Sequence, residues 1–208
     1  MIVSVVSQKG GVGKSALART IAAEFAKADW KVLLADLDHG QSTSARWAKK
    51  RELGNEKDVE TRIFRQTSDV MKVENNYDLV VIDGAPHASR GTLQAARSST
   101  ITVIPTGSSI DDLQPGIILG QELKEEIGSN SSIFFVLLKT TSDHQASESR
   151  ETITGVGFQV IKGSVPNKSG YIEALDQGLA LTETKYKSLN SASRTVMQSI
   201  INEIKKRS

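Results

Sequence analysis

The 208-residue chain has no cysteine, only 4 prolines, and aromatic side chains at 5% of its positions. Without cysteine it forms no disulfide and no Cys-ligated zinc or iron–sulfur centre, which fits a reducing, cytosolic setting. No apolar run approaches the ~20 residues of a membrane-spanning helix, and the first residues lack the basic start and long apolar core of a secretion signal. Charge of one sign is scarce too: 26 Lys and Arg against 24 Asp and Glu leave a net +2, so the chain as a whole is no polycation. Internal repeats, low-complexity tracts and Pro-, Gly- or Ser-rich linkers are also missing. One α/β domain spanning 1–208 is expected, since the length supports one sizeable core and is short for two.

What the sequence does have is alternation. Short, nearly continuous apolar runs rich in β-branched residues fall at 2–6, 32–35, 79–82, 101–104 and 133–138. Such runs suit strands buried on both faces of a parallel sheet. Helical patterns lie between them at 14–28, 42–51, 66–74, 88–97, 110–127 and 144–153, with a long one at 186–206. This order predicts a doubly wound, mostly parallel sheet with helices on both faces, and a ligand beyond the carboxyl ends of the strands.

The most informative segment sits after the first run: Lys9-Gly10-Gly11-Val12-Gly13-Lys14-Ser15, opening into a helical pattern from Ala16. A strand feeding a glycine-rich turn and then a helix is the setting of a phosphate-binding loop, or P-loop. Glycines let the backbone approach an anion, successive N–H groups face it, and the helix start adds its positive end. In that pattern Lys14 meets the β- and γ-phosphates of ATP and the Ser15 hydroxyl ligates Mg²⁺. A glycine-rich turn with incidental lysines would match by chance in roughly one chain in ten thousand or fewer. Further candidates stand at strand ends: Asp36-Leu37-Asp38 after the second run and Asp83 after Val80-Val81-Ile82. Alone, an aspartate pair reads as a turn that caps the next helix. Beside a P-loop, a carboxylate that orients water is the alternative. No Gly-x-Gly-x-x-Gly follows the first strand, which disfavours a dinucleotide-binding Rossmann domain. The histidines, His39, His87 and His144, show no metal-ligand spacing.

Gln8 replaces the usual first glycine of the loop, and Lys9 is an extra lysine at its start. This pattern resembles the deviant Walker A loop of the ParA/MinD family of ATPases, closest to the short single-domain ParA-type partition ATPases. The resemblance implies a slow, Mg²⁺-dependent ATPase that forms an ATP-sandwich homodimer, with Lys9 reaching the nucleotide of the partner subunit. It makes Gly10 to Ala16 the nucleotide-binding loop, Asp38 the water-orienting residue, Asp36 a neighbour at the site's edge and Asp83 a Walker B holder of a Mg²⁺-bound water. Metal-side residues are then Ser15, Asp38 and Asp83. His39-Gly40 stands where the family often has Pro-Gln. By the same resemblance, Pro105 to Leu113 leads to the dimer face, and Pro166 and Asn167 lie in the loop that closes over the base.

For the short ParA type the resemblance further implies non-specific DNA binding, nucleoid association in bacteria, a ParB-like centromere-binding or cargo-adaptor partner, and no amino-terminal helix-turn-helix. The basic carboxyl-terminal region fits this role, with Lys185, Lys187, Arg194, Lys205 and Lys206 as candidate DNA contacts. The cluster Arg46, Lys49, Lys50 and Arg51 reads instead as a solvated face. Two related readings keep the same motifs: a positioner of another cargo, such as a carboxysome or chemosensory cluster, and a MinD-like membrane-cycling ATPase. The last is disfavoured, because Val196, Ile200, Ile201 and Ile204 suit core packing better than a lipid anchor. A nucleotide-binding module without hydrolysis is disfavoured by the presence of both Lys9 and Asp38.

Overall fold

The computed structural model describes residues 1–38, 40, 42–85, 90–129 and 132–207, with Arg90 described by its backbone alone. His39, Pro86 and His87 lie outside the described residues. Eight strands form the sheet: β1 Ile2–Val5, β2 Val32–Asp36, β3 Glu60–Ile63, β4 Leu79–Asp83, β5 Ile101–Thr106, β6 Ile133–Thr140, β7 Gln159–Val160 and β8 Val165–Pro166. Their order is β3-β2-β4-β1-β5-β6-β7, with β8 also pairing β6. All these pairings are parallel.

The five apolar runs became strands because both of their faces are covered. Along β6, Phe134, Val136 and Leu138 face one layer, and Ile133, Phe135 and Leu137 face the other. The first layer holds α1 (Lys14–Lys27), α2 (Thr43–Glu52), α7 (Ser169–Asp176) and α8 (Lys187–Lys205). The second holds α3 (Thr67–Met71), α4 (Arg90–Ser98), α5 (Ile110–Ile127) and α6 (Asp143–Gly155). On α8, Val196, Ile200 and Ile204 are buried and Ile201 packs against the same core, as the sequence suggested. No described helix is long and apolar enough to cross a membrane.

Elements absent from the sequence reading are β3, β7, β8 and α7. Edge strand β3 is polar and largely exposed, so it carries no apolar run, and its charged residues protect an open sheet edge. The chain leaves β1 toward β2 on one side and later passes from β4 to β5 on the other. The loop after β1 therefore lies at the topological switch, where parallel sheets place their ligands.

Candidate functional site

Three strand ends meet at that switch point. The loop after β1 reaches α1 through Gly11 at φ +81° and Gly13 at φ +96°, values that L side chains rarely adopt. Gly13 is the residue preceding α1, and a Cβ there would stand 2.8 Å from Leu138 Cδ1. Glycine at 13 is thus required twice, by backbone angle and by close approach to β6. At Gly10 and Gly11 a Cβ would meet no protein atom within 4 Å, so the loop backbone borders open space. That space is a cavity of ≈ 480 Å³ whose lining includes Lys14, Ser15, Asp38 and Thr43. A smaller apolar pocket of ≈ 100 Å³ adjoins it at Gly13 and Ala16, lined by Leu138, Pro166, Asn167, Tyr171 and Leu175 among others. Pro166 and Asn167 thus line the apolar pocket that adjoins the polar cavity. Val12 is buried beneath the loop.

The carboxylates divide their roles. Asp36 and Asp83 are directly opposite each other on β2 and β4, and neither is exposed. Asp83 Oδ1 is paired with Lys14 Nζ at 2.9 Å, and its Oδ2 accepts from the Ser44 hydroxyl at 2.8 Å. Asp36 accepts backbone N–H bonds from Asp38 at 2.9 Å, Ser44 at 3.1 Å and Ala45 at 3.3 Å. It therefore shapes the loop after β2 and caps the start of α2. Burial pushes its pKa up, with the Asp83 charge adding to this and the three N–H donors opposing it. Asp38, two residues on, is half-buried and lines the cavity. Thr43 Oγ1 is 3.5 Å from Ser15 Oγ, which brings the start of α2 to the P-loop. Among the described residues no group of three or more His, Asp or Glu could hold a metal. A Mg²⁺ at Ser15 would draw the rest of its shell from phosphate oxygens and water, its usual habit.

Lys9 takes up a position in its own chain. Its Nζ is 2.6 Å from Asp112 Oδ1 and 3.0 Å from the Asp111 carbonyl, both in the first turn of α5. Pro115 explains the second contact: it has no N–H to give to the carbonyl four residues back, and Lys9 supplies a donor instead. The Lys9 side chain stays 39% exposed, so this pairing is open to exchange.

Several site residues were missed from sequence. Arg19 lies four residues after Ser15 on the same face of α1, and its Nε donates to Ser44 Oγ at 3.0 Å. That spacing was a readable signal. Lys139, at φ +55°, reaches the Gly11 carbonyl at 2.6 Å from the end of β6, and nothing in the sequence marks it.

The basic groups are distributed unequally. Lys185, Lys187, Arg194, Lys205 and Lys206 are all exposed. Lys187, Arg194 and Lys205 are spaced by whole helical turns on α8, so they share one face over roughly 27 Å. Lys205 and Lys206 line a groove of ≈ 510 Å³ with Lys162, Ser199 and Asn202. Lys185 pairs with Glu173 and Lys206 with Glu203. His144 is exposed beside Glu148.

The 46–51 cluster is not the uniform solvated face expected. Arg51 is buried, bonded to Glu183 through both of its terminal nitrogens, to the Gly178 carbonyl and to the Lys57 carbonyl. Lys50 reaches the Asp176 carbonyl. The side of α2 that carries them packs on the end of α7 and the segment after it.

The chain matches the CobQ/CobB/MinD/ParA nucleotide binding domain over residues 3–181. It is similar to the maintenance of carboxysome distribution protein A of Gloeobacter kilaueensis, 24% identical over 192 residues that cover 92% of this chain and 88% of that protein. Its fold is similar to that of a Cyanothece McdA variant solved with ATP, with TM-score 0.74, 16% identity and 96% of each chain covered. It is also similar to a plasmid partition protein of Borrelia burgdorferi bound to AMPPNP, with TM-score 0.70, 17% identity, and 97% of this chain and 98% of that one covered.

Proposed function

Because the chain belongs to the CobQ/CobB/MinD/ParA nucleotide-binding family, we propose that it is a Mg²⁺-dependent ATPase that dimerises around bound ATP, holds DNA non-specifically and positions a cargo. The observation that carries this reading is the meeting of the P-loop, Asp38 and the Lys14–Asp83 pair at one cavity.

The residues divide the work as follows. Lys14 turns from Asp83 to the β- and γ-phosphates, and the N–H groups of the P-loop cradle them. Bound Mg²⁺ neutralises charge on the phosphates and lowers the barrier to phosphoryl transfer. Ser15 holds the metal side, with Asp83, once released, held behind it. Asp38 orients the attacking water from the loop between β2 and α2. Pro166 and Asn167 border the base. Lys9 leaves Asp112 and Asp111 to meet the nucleotide of a second subunit, which makes dimerisation depend on ATP. The basic face of α8, with Lys187, Arg194 and Lys205, then serves duplex phosphates, with Lys185 and Lys206 as flanking contacts. Two such faces in a dimer bind where one is weak.

The similarity to a carboxysome distribution protein favours a second reading of the cargo, a large protein assembly in place of a DNA molecule. Either cargo requires an adaptor, ParB-like or otherwise, that stimulates hydrolysis.

The test is binding of the ATP-loaded protein to random-sequence duplex DNA and to anionic liposomes over a salt series. DNA affinity that needs ATP, falls steeply with salt and shows no sequence preference supports the reading. Replacing Lys205 and Lys206 by Ala should weaken binding to every sequence alike and flatten the salt slope. Liposome binding without DNA binding would overturn it.

A further inference from the structure

Two buried carboxylates, Asp36 and Asp83, sit side by side on β2 and β4, and two cations stand near them. Lys14 is one, in direct contact with Asp83 Oδ1. The other is Arg19, only 9% exposed, reaching Asp83 through Ser44. A P-loop lysine cannot serve a phosphate and Asp83 equally, so nucleotide binding would take the first cation away. Arg19 also borders the cavity, but its Nε is committed to Ser44 Oγ at 3.0 Å.

This contact also sets a direction. A serine hydroxyl has one hydrogen. With the Arg19 N–H occupying a lone pair on Ser44 Oγ, that hydrogen is left for Asp83 Oδ2, where the bond measures 2.8 Å. Ser44 is itself fixed by its backbone N–H to Asp36 Oδ2. The chain Arg19–Ser44–Asp83 is thus fixed at its middle residue, and Arg19 lies one helical turn after Ser15 on α1. Burial lowers the Arg19 pKa below its ordinary value, while the Asp83 and Asp36 charges hold it up. The guanidinium remains charged even so, as arginine does in proteins.

We propose that Arg19 is a positioning residue for the metal side of the nucleotide site: through Ser44 it keeps Asp83 oriented once Lys14 has moved to the phosphates. The proposal rests on the Mg²⁺–nucleotide reading of the cavity. Asp83 Oδ1, vacated by Lys14, then stays in place as an acceptor for the magnesium shell, while Oδ2 remains tied to Ser44. Residues that orient a metal shell in this way commonly change metal affinity by about 10- to 100-fold when removed.

The test is ATP binding by calorimetry, in excess EDTA and in excess Mg²⁺, for wild type, Arg19→Met, Arg19→Lys, Ser44→Ala and the Arg19→Met/Ser44→Ala double variant, each first checked for folding by circular dichroism. In wild type, Mg²⁺ should tighten binding. Arg19→Met should cut that magnesium-dependent gain by about tenfold while changing affinity in EDTA far less. Arg19→Lys, which keeps the charge, should recover most of the gain. Ser44→Ala should lose as much as Arg19→Met, and the double variant no more than either, because one chain of contacts is being broken. If Arg19→Met does not fold, the Ser44→Ala comparison decides alone. An undiminished magnesium gain in these variants, an equal loss in EDTA, or multiplied losses in the double variant would overturn the role of Arg19 and leave the nucleotide reading standing. Wild type that binds no ATP, or binds it without a magnesium gain, would overturn both.

Discussion

Replacing Lys14 by Ala tests the site from an unusual side, because the lysine is a structural partner before it is a ligand. Its ammonium sits 2.9 Å from Asp83 Oδ1, with side-chain exposures of 11% and 0% for the two residues. Among the described residues, removing Lys14 leaves a buried carboxylate with the Ser44 hydroxyl as its remaining side-chain donor. Breaking a buried pair from one side costs about 3–5 kcal/mol, and nearby Arg19 sets this case at the lower end. For a chain of this size about 3 kcal/mol lowers the melting temperature by roughly 6–12 °C. Adding Asp83→Asn removes the stranded charge, so the double variant should recover much of that loss. The assay is thermal unfolding by circular dichroism or calorimetry at neutral pH, without nucleotide, alongside Mg²⁺–ATP titration. Both variants should fail to bind nucleotide, and only the stability should return. A Lys14→Ala protein that melts with wild type, or a double variant less stable than the single, would refute the reasoning.

Other outcomes follow from single contacts. Gly13→Ala forces an L side chain to φ +96° and against Leu138, so nucleotide affinity should fall by more than about tenfold, a loss of ~1.4 kcal/mol, in the same titration. Asp38→Ala should slow ATP hydrolysis by about 100-fold while ATP binding persists, and unchanged turnover would move the water-orienting role elsewhere. Acid stability should depend on Glu183. Its burial favours the neutral form, but Arg51, Lys27 and the Ala180 N–H prevail and bring its pKa from 4.5 down to about 2. Because the folded value is depressed, the stabilisation is complete above the ordinary value and is lost as pH falls through the window between the two. Asp36, whose pKa is raised, contributes with the opposite sign. Urea unfolding across that window should therefore show a fall in stability that shrinks in Glu183→Gln.

The sheet was legible in sequence wherever strands are buried on both faces, because burial alone produces a continuous apolar run. Strand β3 escaped notice for the converse reason: Glu60 and Arg62 belong to an exposed edge. Strands β7 and β8 have two residues each, too few for any period. At the site, Gly13 and Lys14 could be read because the backbone path itself demands them in order. Asp36 and Asp38 were told apart by family resemblance alone, since spacing does not show which carboxylate the neighbouring N–H groups will hold as a cap. Arg51 was misread because charge density along a helix does not reveal which side meets a carboxylate 132 residues away. The partners of Lys9 were hidden for the same reason, although Pro115 marks in sequence the carbonyl that lacks a helical donor.

Dimerisation tests the central claim most directly. Light scattering of wild type and Lys9→Ala, each with Mg²⁺ and a slowly hydrolysed ATP analogue, asks whether nucleotide joins two copies through that lysine. Wild type should double its mass on adding the analogue, and Lys9→Ala should bind the analogue and remain a monomer. A Lys9→Ala protein that still dimerises with nucleotide would contradict the account and leave Lys9 an ordinary surface partner of Asp112.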